Sequence, residues 1–195
     1  MGLRNKLFLI LFNVKQEDKW ESWKRFAIKN NYLFSILNDP IERPIIRGTI
    51  NEKPFSIEAI YESNLEKKFQ LKIKSPIHNP KDSYLLIQDK KIFKTQNGVF
   101  FKSLQGICDN KFLEKKFFIK SNSERLSTQI LRNPTLSEEI ISLDNFSIEI
   151  IGYELVITSY TISEINKEFI DLLKLFYSFL TYFEEISLTT MNIRT

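Results

Sequence analysis

The feature that most constrains the fold is the stretch from Ser163 to Ser187. There Ile165, Phe169, Leu172, Phe176, Phe179, Leu180 and Phe183 recur at three- and four-residue intervals, the spacing that lines up one face of a helix. Thr161 and Ser163 are the candidate N-caps, and Thr161 with Glu164 has capping-box spacing. A helix of roughly 24 residues is about 36 Å long, and its apolar stripe requires a sheet or other helices to lie against.

The chain supplies that sheet. Residues 45–50 and 54–61 read as a hairpin turning at Asn51-Glu52-Lys53, with Phe55, Ile57, Ala59 and Tyr61 on one face. From Lys68 to Lys74, Phe69, Leu71 and Ile73 alternate strictly with Lys68, Gln70, Lys72 and Lys74, predicting a strand with one buried face and one solvated, basic face. Shorter strands are expected over 84–88, 91–94 and 99–102, divided by Asp89-Lys90 and Asn97-Gly98. Phe117 to Lys120 reads as a further strand and Ser123 to Leu131 as a helix; Pro134 breaks the helical pattern, which resumes over 136–143. A second hairpin, 146–150 and 153–159, turns at Ile151-Gly152. Before all of these, a first helix over 16–30 places Trp20, Trp23 and Ala27 on one face; Asn30-Asn31 stops it, and Pro40 and Pro44 bracket a break.

These elements predict an α+β fold. Its antiparallel sheet has about six to nine strands in hairpins and a meander, packed by an N-terminal helix, a short middle helix pair and a long C-terminal helix. A single domain is expected over 1–187, divided into the helix 16–30, a β-meander 44–104 and a strand-helix-hairpin-helix half 106–187, with 188–195 as a flexible tail.

Composition closes off several functions. The five glycines, Gly2, Gly48, Gly98, Gly106 and Gly152, are too scattered for a dinucleotide loop or P-loop. One cysteine, Cys108, and one histidine, His78, cannot supply the ligands of a Cys/His zinc centre within one chain. A lone cysteine also permits no intramolecular disulfide, which suits a reducing compartment. His78 sits between prolines in an expected loop, a poor base for a nucleophile. Glu138-Glu139 and Glu184-Glu185 are adjacent on helices, where side chains diverge by about 100°, and read as solvated faces. No cofactor, metal ligand set or catalytic residue is assigned.

Charge is distributed unevenly. Residues 43–120 carry 16 basic and 8 acidic side chains, whereas residues 121–195 carry 5 and 11. The basic middle is suited to phosphates or anionic lipid head groups, and equally to the acidic end of this chain or of a second copy. Lysine also interleaves with phenylalanine at 91–94, 100–102 and 111–120, a pattern that single-stranded nucleic-acid binders use and that any amphipathic strand rich in Lys and Phe also gives. Lys68, Lys72, Lys74, Lys91, Lys94, Lys115 and Lys116 form the candidate basic binding face.

The N-terminal Leu7 to Phe12 run follows Arg4 and Lys6 but is too short for a signal-peptide core or a membrane span. Lys6 stands where a myristoylation signal needs Ser or Thr. The run reads as a buried strand or helix turn, with a membrane-surface foot as the alternative.

Phe112, Phe117-Phe118-Ile119, Lys120-Ser121-Asn122-Ser123, Ile130-Leu131 with Pro134, the hairpin 148–157 and the closing helix make the segment Gly106 to Glu185 resemble the C-terminal part of bacterial and archaeal proteins known only as a domain of unknown function. The region from Arg47-Gly48 to Ser75 is similar to the start of such a domain. Some of those proteins are tethered to membranes by a transmembrane segment that this sequence lacks. The resemblance implies no activity and no catalytic residue. The expectation is a non-enzymatic cytoplasmic protein that binds a protein partner or its own copy through a sheet edge or the basic face. Nucleic acid or a peripheral anionic membrane surface at that face is the alternative.

Overall fold

In the computed structural model the residues described are 20–38, 42–61, 69–79, 81–92, 111–160 and 165–191. The run Leu7 to Phe12 and the expected strand 99–102 lie outside them. Helix α1 (Glu21–Lys29) leads into strands β1 (Leu33–Asn38), β2 (Glu42–Ile50), β3 (Lys53–Tyr61), β4 (Phe69–Pro76) and β5 (Leu85–Asp89). Helix α2 (Lys111–Lys116), strand β6 (Phe117–Ser121), helices α3 (Glu124–Arg132) and α4 (Pro134–Ser142), strands β7 (Phe146–Ile151) and β8 (Glu154–Ser159), and helix α5 (Lys167–Met191) complete it. The strands form one eight-stranded sheet in the order β1-β2-β3-β4-β8-β7-β5-β6, every pairing antiparallel. The fold is α+β.

One row of the sheet shows why these sequences pair in this register. Ile46, Ile57, Ile73, Ile157, Ile148, Ile87 and Ile119 stand side by side, each the register partner of the next, and all are buried. Branched side chains fill the pleat against one another, and a slip of one residue in any strand would turn its isoleucine to the other face. Onto this row pack Trp23 and Ala27 of α1, Ile130 of α3, Ile140 of α4, and Phe169, Leu172, Leu175, Phe176, Phe179, Leu180 and Phe183 of α5. The expected stripe of the long helix is thus its buried face, with Leu175 added and Ile165 half-buried just before the helix begins.

Local chemistry sets the boundaries. Helix α5 starts after Asn166, whose Oδ1 accepts from the Phe169 N–H at 3.0 Å, so Asn166 acts as the N-cap rather than Thr161 or Ser163, which lie outside the described residues. The helix continues past Ser187 to Met191. Ser123 and Asn133 cap α3 and α4; Pro134, expected as a break, takes the first position of α4, where a missing N–H costs nothing. The β2–β3 turn has both central residues, Asn51 and Glu52, at positive φ, the two-residue geometry that matches strand twist. Asn51 also hydrogen-bonds Tyr177 Oη at 2.9 Å, tying the turn to α5.

Strand β1 was not expected. The turn at Asn31, with φ 58°, returns the chain into it, and Pro44 does not end a strand but sits inside β2. The β2–β3 ladder begins at Ile45–Glu58, so Pro44 lies where β2 is paired on one side, a position that tolerates a lost donor. Lys91, expected in a strand, falls in a helical turn at 90–92, and 111–116 is helix.

Candidate interaction surface

Of the seven lysines of the expected basic face, the five among the described residues lie at separate places in the fold. Lys68 and Lys94 lie outside the described residues. Lys72 and Lys74 project from β4 on the face of the sheet opposite the isoleucine row. There Lys74 Nζ pairs with Glu58 Oε1 at 2.9 Å, and Lys72 has Glu58 and Thr158 as register neighbours. Lys115 is exposed on α2. Lys91 and Lys116 converge elsewhere, on Asp144, at 3.6 and 2.9 Å.

Lys116 is a structural cation. Its Nζ donates to the Ile141 and Leu143 carbonyls at 2.7 and 2.6 Å, so it satisfies the C-terminal carbonyls of α4 where the helix dipole favours positive charge. The hydrogen bond from Lys116 holds the Asp144 carboxyl below the usual aspartate range, aided by the charges of Lys116 and Lys91. Lys90 Nζ donates similarly to the Glu114 carbonyl at 2.6 Å. The buried carboxylate of Asp89, read from sequence only as part of a turn, accepts from the N–H groups of Lys91 and Asn145 at 2.8 and 3.0 Å. It fixes the loop that carries Asp144.

Glu139 and Glu184 are not on solvated faces either. Glu139 Oε1 accepts from Ser178 Oγ at 3.3 Å and lies 3.5 Å from Lys174 Nζ, joining α4 to α5. Glu184 pairs with Lys53 at 2.9 Å, joining α5 to the first hairpin. The basic middle and acidic end therefore meet within one chain, at Lys53–Glu184, Lys91–Asp144 and Lys116–Asp144.

A cavity of about 340 Å³ opens beside Asp144, Ser159, Glu168 and Asp171, with its acids set at the rim of the α4–β7 loop and the first turns of α5. Among the described residues no His, Cys, Asp and Glu side chains group as metal ligands, and none of the helices is long and apolar enough to cross a membrane. Of the aromatics interleaved with lysine, Phe117 and Phe118 are buried and Phe112 is 75% exposed; Phe93, Phe100 and Phe101 lie outside the described residues.

The sheet edges differ from one another. At one end, β6 has Phe117, Phe118 and Ile119 buried and carries Lys120. At the other, β1 reads Leu-Phe-Ser-Ile-Leu-Asn, without charge or proline, and pairs with β2 at all six residues without a bulge. Leu33 is 76% exposed and Ile36 43% exposed. Natural edges are usually blunted by lysine, proline or a bulge because their free N–H and C=O groups template further pairing; β1 has none of these. Sequence reading missed β1 because both of its faces are half-exposed, which erases the polar alternation that marks a strand.

One strand inward, Arg43 and Arg47 stand opposite Leu37 and Leu33 on the same face as Lys72. Their alternation around Ile45 was the available sequence signal, obscured by taking Pro44 as a break. Among the described residues Arg43, Arg47 and Lys72 have no ion-pair partner, and the buried Nε of Arg43 has no hydrogen-bond acceptor. No family model matches this chain, and no curated protein or solved structure matches it.

Proposed function

We propose that this is a non-enzymatic binding protein of the cytoplasm that takes an extended partner segment as an added strand on β1. The observation that carries the reading is an uncharged, proline-free and bulge-free edge strand with exposed Leu33 and Ile36. Main-chain pairing supplies affinity in this mode, and alternate side chains supply selectivity. A fluorescein-labelled peptide carrying the sequence of residues 33–38 between charged solubilising ends tests it by anisotropy. The expected result is saturable binding to the wild-type protein that Ile36→Lys, at a half-exposed edge position, abolishes without lowering the melting temperature. No binding, or binding that Ile36→Lys leaves intact, overturns the reading.

A second reading is supported by the unpaired Arg43, Arg47 and Lys72: contact of the opposite sheet face with phosphates of nucleic acid or an anionic membrane. Such contacts weaken steeply with salt through counterion release. Binding of a labelled oligonucleotide or of anionic vesicles that is unchanged between low and moderate ionic strength excludes it.

A further inference from the structure

Strand β1 matches itself. We infer that its partner is a second copy of this chain, joined β1 to β1 antiparallel about a two-fold axis at Ser35, so that two eight-stranded sheets continue as one. The inference rests on the strand-addition reading above and names its occupant.

Register selects the arrangement. Residues that oppose each other across an antiparallel pair lie on the same face of the sheet. Leu33, Ser35 and Leu37 share one face of β1, and Phe34 and Ile36 share the other, where Phe34 neighbours Ile46 in the core row. Centring the pair on Ser35 sets Leu33 against the partner's Leu37, Phe34 against the partner's Ile36, and Ser35 against the partner's Ser35. Every apolar side chain then meets an apolar one. Centring on Ile36 instead sets Ser35 against Leu37 and Phe34 against Asn38; centring on Phe34 sets Leu33 against Ser35. Only the Ser35 centre matches all five positions.

Charge permits the same arrangement. The strand carries none. Within the joined sheet, Arg47 and the partner's Arg43 lie three strand spacings apart, about 14 Å, beyond the screening length of about 8 Å at physiological salt. Because the interface is isologous, both β1 edges are consumed and the assembly closes at two chains. A junction one strand wide falls short of the roughly 1,200 Å² of a stable interface, so the dimer forms reversibly as concentration rises.

Directly opposed residues in an antiparallel pair have Cα atoms about 4.5 or 5.5 Å apart, within the span of a disulfide, about 4.4–6.8 Å. In a Cys108→Ser background, Ser35→Cys is therefore expected to form a covalent dimer under mild oxidation. It should do so at least about tenfold faster than the exposed control Lys115→Cys at micromolar protein, since a docked pair raises effective concentration. Leu33→Cys and Leu37→Cys should each stay uncrosslinked alone and crosslink when the two proteins are mixed. Sedimentation of the wild-type protein reads the same association without substitution, with a dimer fraction that grows with concentration. A wild-type monomer at every concentration, or Ser35→Cys no faster than the control, overturns the inference. If the residue 33–38 peptide still binds in that case, strand addition stands and only the second copy is lost; if it does not bind, both fall.

Discussion

Replacing Lys116 with methionine separates a structural cation from a binding one. The substitution keeps the apolar stem and removes the ammonium, which donates at 2.7 and 2.6 Å to two carbonyls at the end of α4 and pairs with Asp144 at 2.9 Å. Hydrogen bonds that involve a charged group contribute about 1.5–3 kcal/mol each. The Asp144 side chain is 55% exposed, so the ion pair adds little in water. Water can also reach carbonyls freed at a helix end, and the net loss comes to about 2–3 kcal/mol. For a chain of this length that lowers the melting temperature by ~4–12 °C. Thermal unfolding followed by circular dichroism reads this directly, with Lys115→Met as an exposed control that should move it little. Asp144 adds a pH signature. Its carboxyl is held low in the folded state, chiefly by the Lys116 hydrogen bond, so its contribution is fully present above the ordinary aspartate value of about 3.9 and is lost as pH falls through the lowered folded value. Lys116→Met should flatten that acid-side loss. Equal melting temperatures for Lys116→Met and Lys115→Met would falsify the structural assignment and return Lys116 to the binding face.

Two backbone positions give further tests. At Gly48 an added Cβ would collide with the Tyr32 ring and come within 2.9 Å of Phe55 Cε1, and those two rings already pack edge to face with centroids 5.0 Å apart; Gly48→Ala should cost about 1–3 kcal/mol by overpacking, and a change under about 0.5 kcal/mol in denaturant melts would show that the rings move aside freely. Glu52 holds φ 66° in the β2–β3 turn, a conformation that costs a residue with a Cβ about 1 kcal/mol; Glu52→Gly should therefore raise stability by about that much, and a loss in the same melts would mean that the glutamate side chain has a role the turn geometry does not reveal.

The sequence made legible whatever repeated with a clear period. Helix α5 was readable from Phe169, Leu172, Phe176 and Phe179, and both hairpins from alternation and their turns; α5 and β3 bury one face and leave the other more open, whereas in β7 and β8 the polar positions Ser147, Thr158 and Ser159 are buried as well. What escaped was set by other forces. Helix α2 has six residues, too few for a helical period to stand out in the mixed pattern after Gly106. The order β8-β7-β5-β6 depends on which strands meet across long connections, and no local pattern encodes that. The cap of α5 moved to Asn166 because capping depends on where the backbone leaves the helix, and several residues nearby have suitable side chains.

The role of each lysine is likewise set by the fold rather than by the local sequence. A lysine in sequence is a charge with a long reach, and its role depends on what the fold places about 3–4 Å from it. Folding gives Lys74 to Glu58, and Lys91 and Lys116 to Asp144, so these three lysines are paired within the chain. The surface that remains distinctive is β1, which carries no charge at all. Association there draws on backbone pairing and apolar contact, which salt does not screen, while weak repulsion between the arginines one strand inward is screened. Dimerisation through β1 should therefore hold or tighten as salt rises, and phosphate binding at the opposite face should weaken. The direction of one salt titration distinguishes an edge-paired protein from a basic-face one.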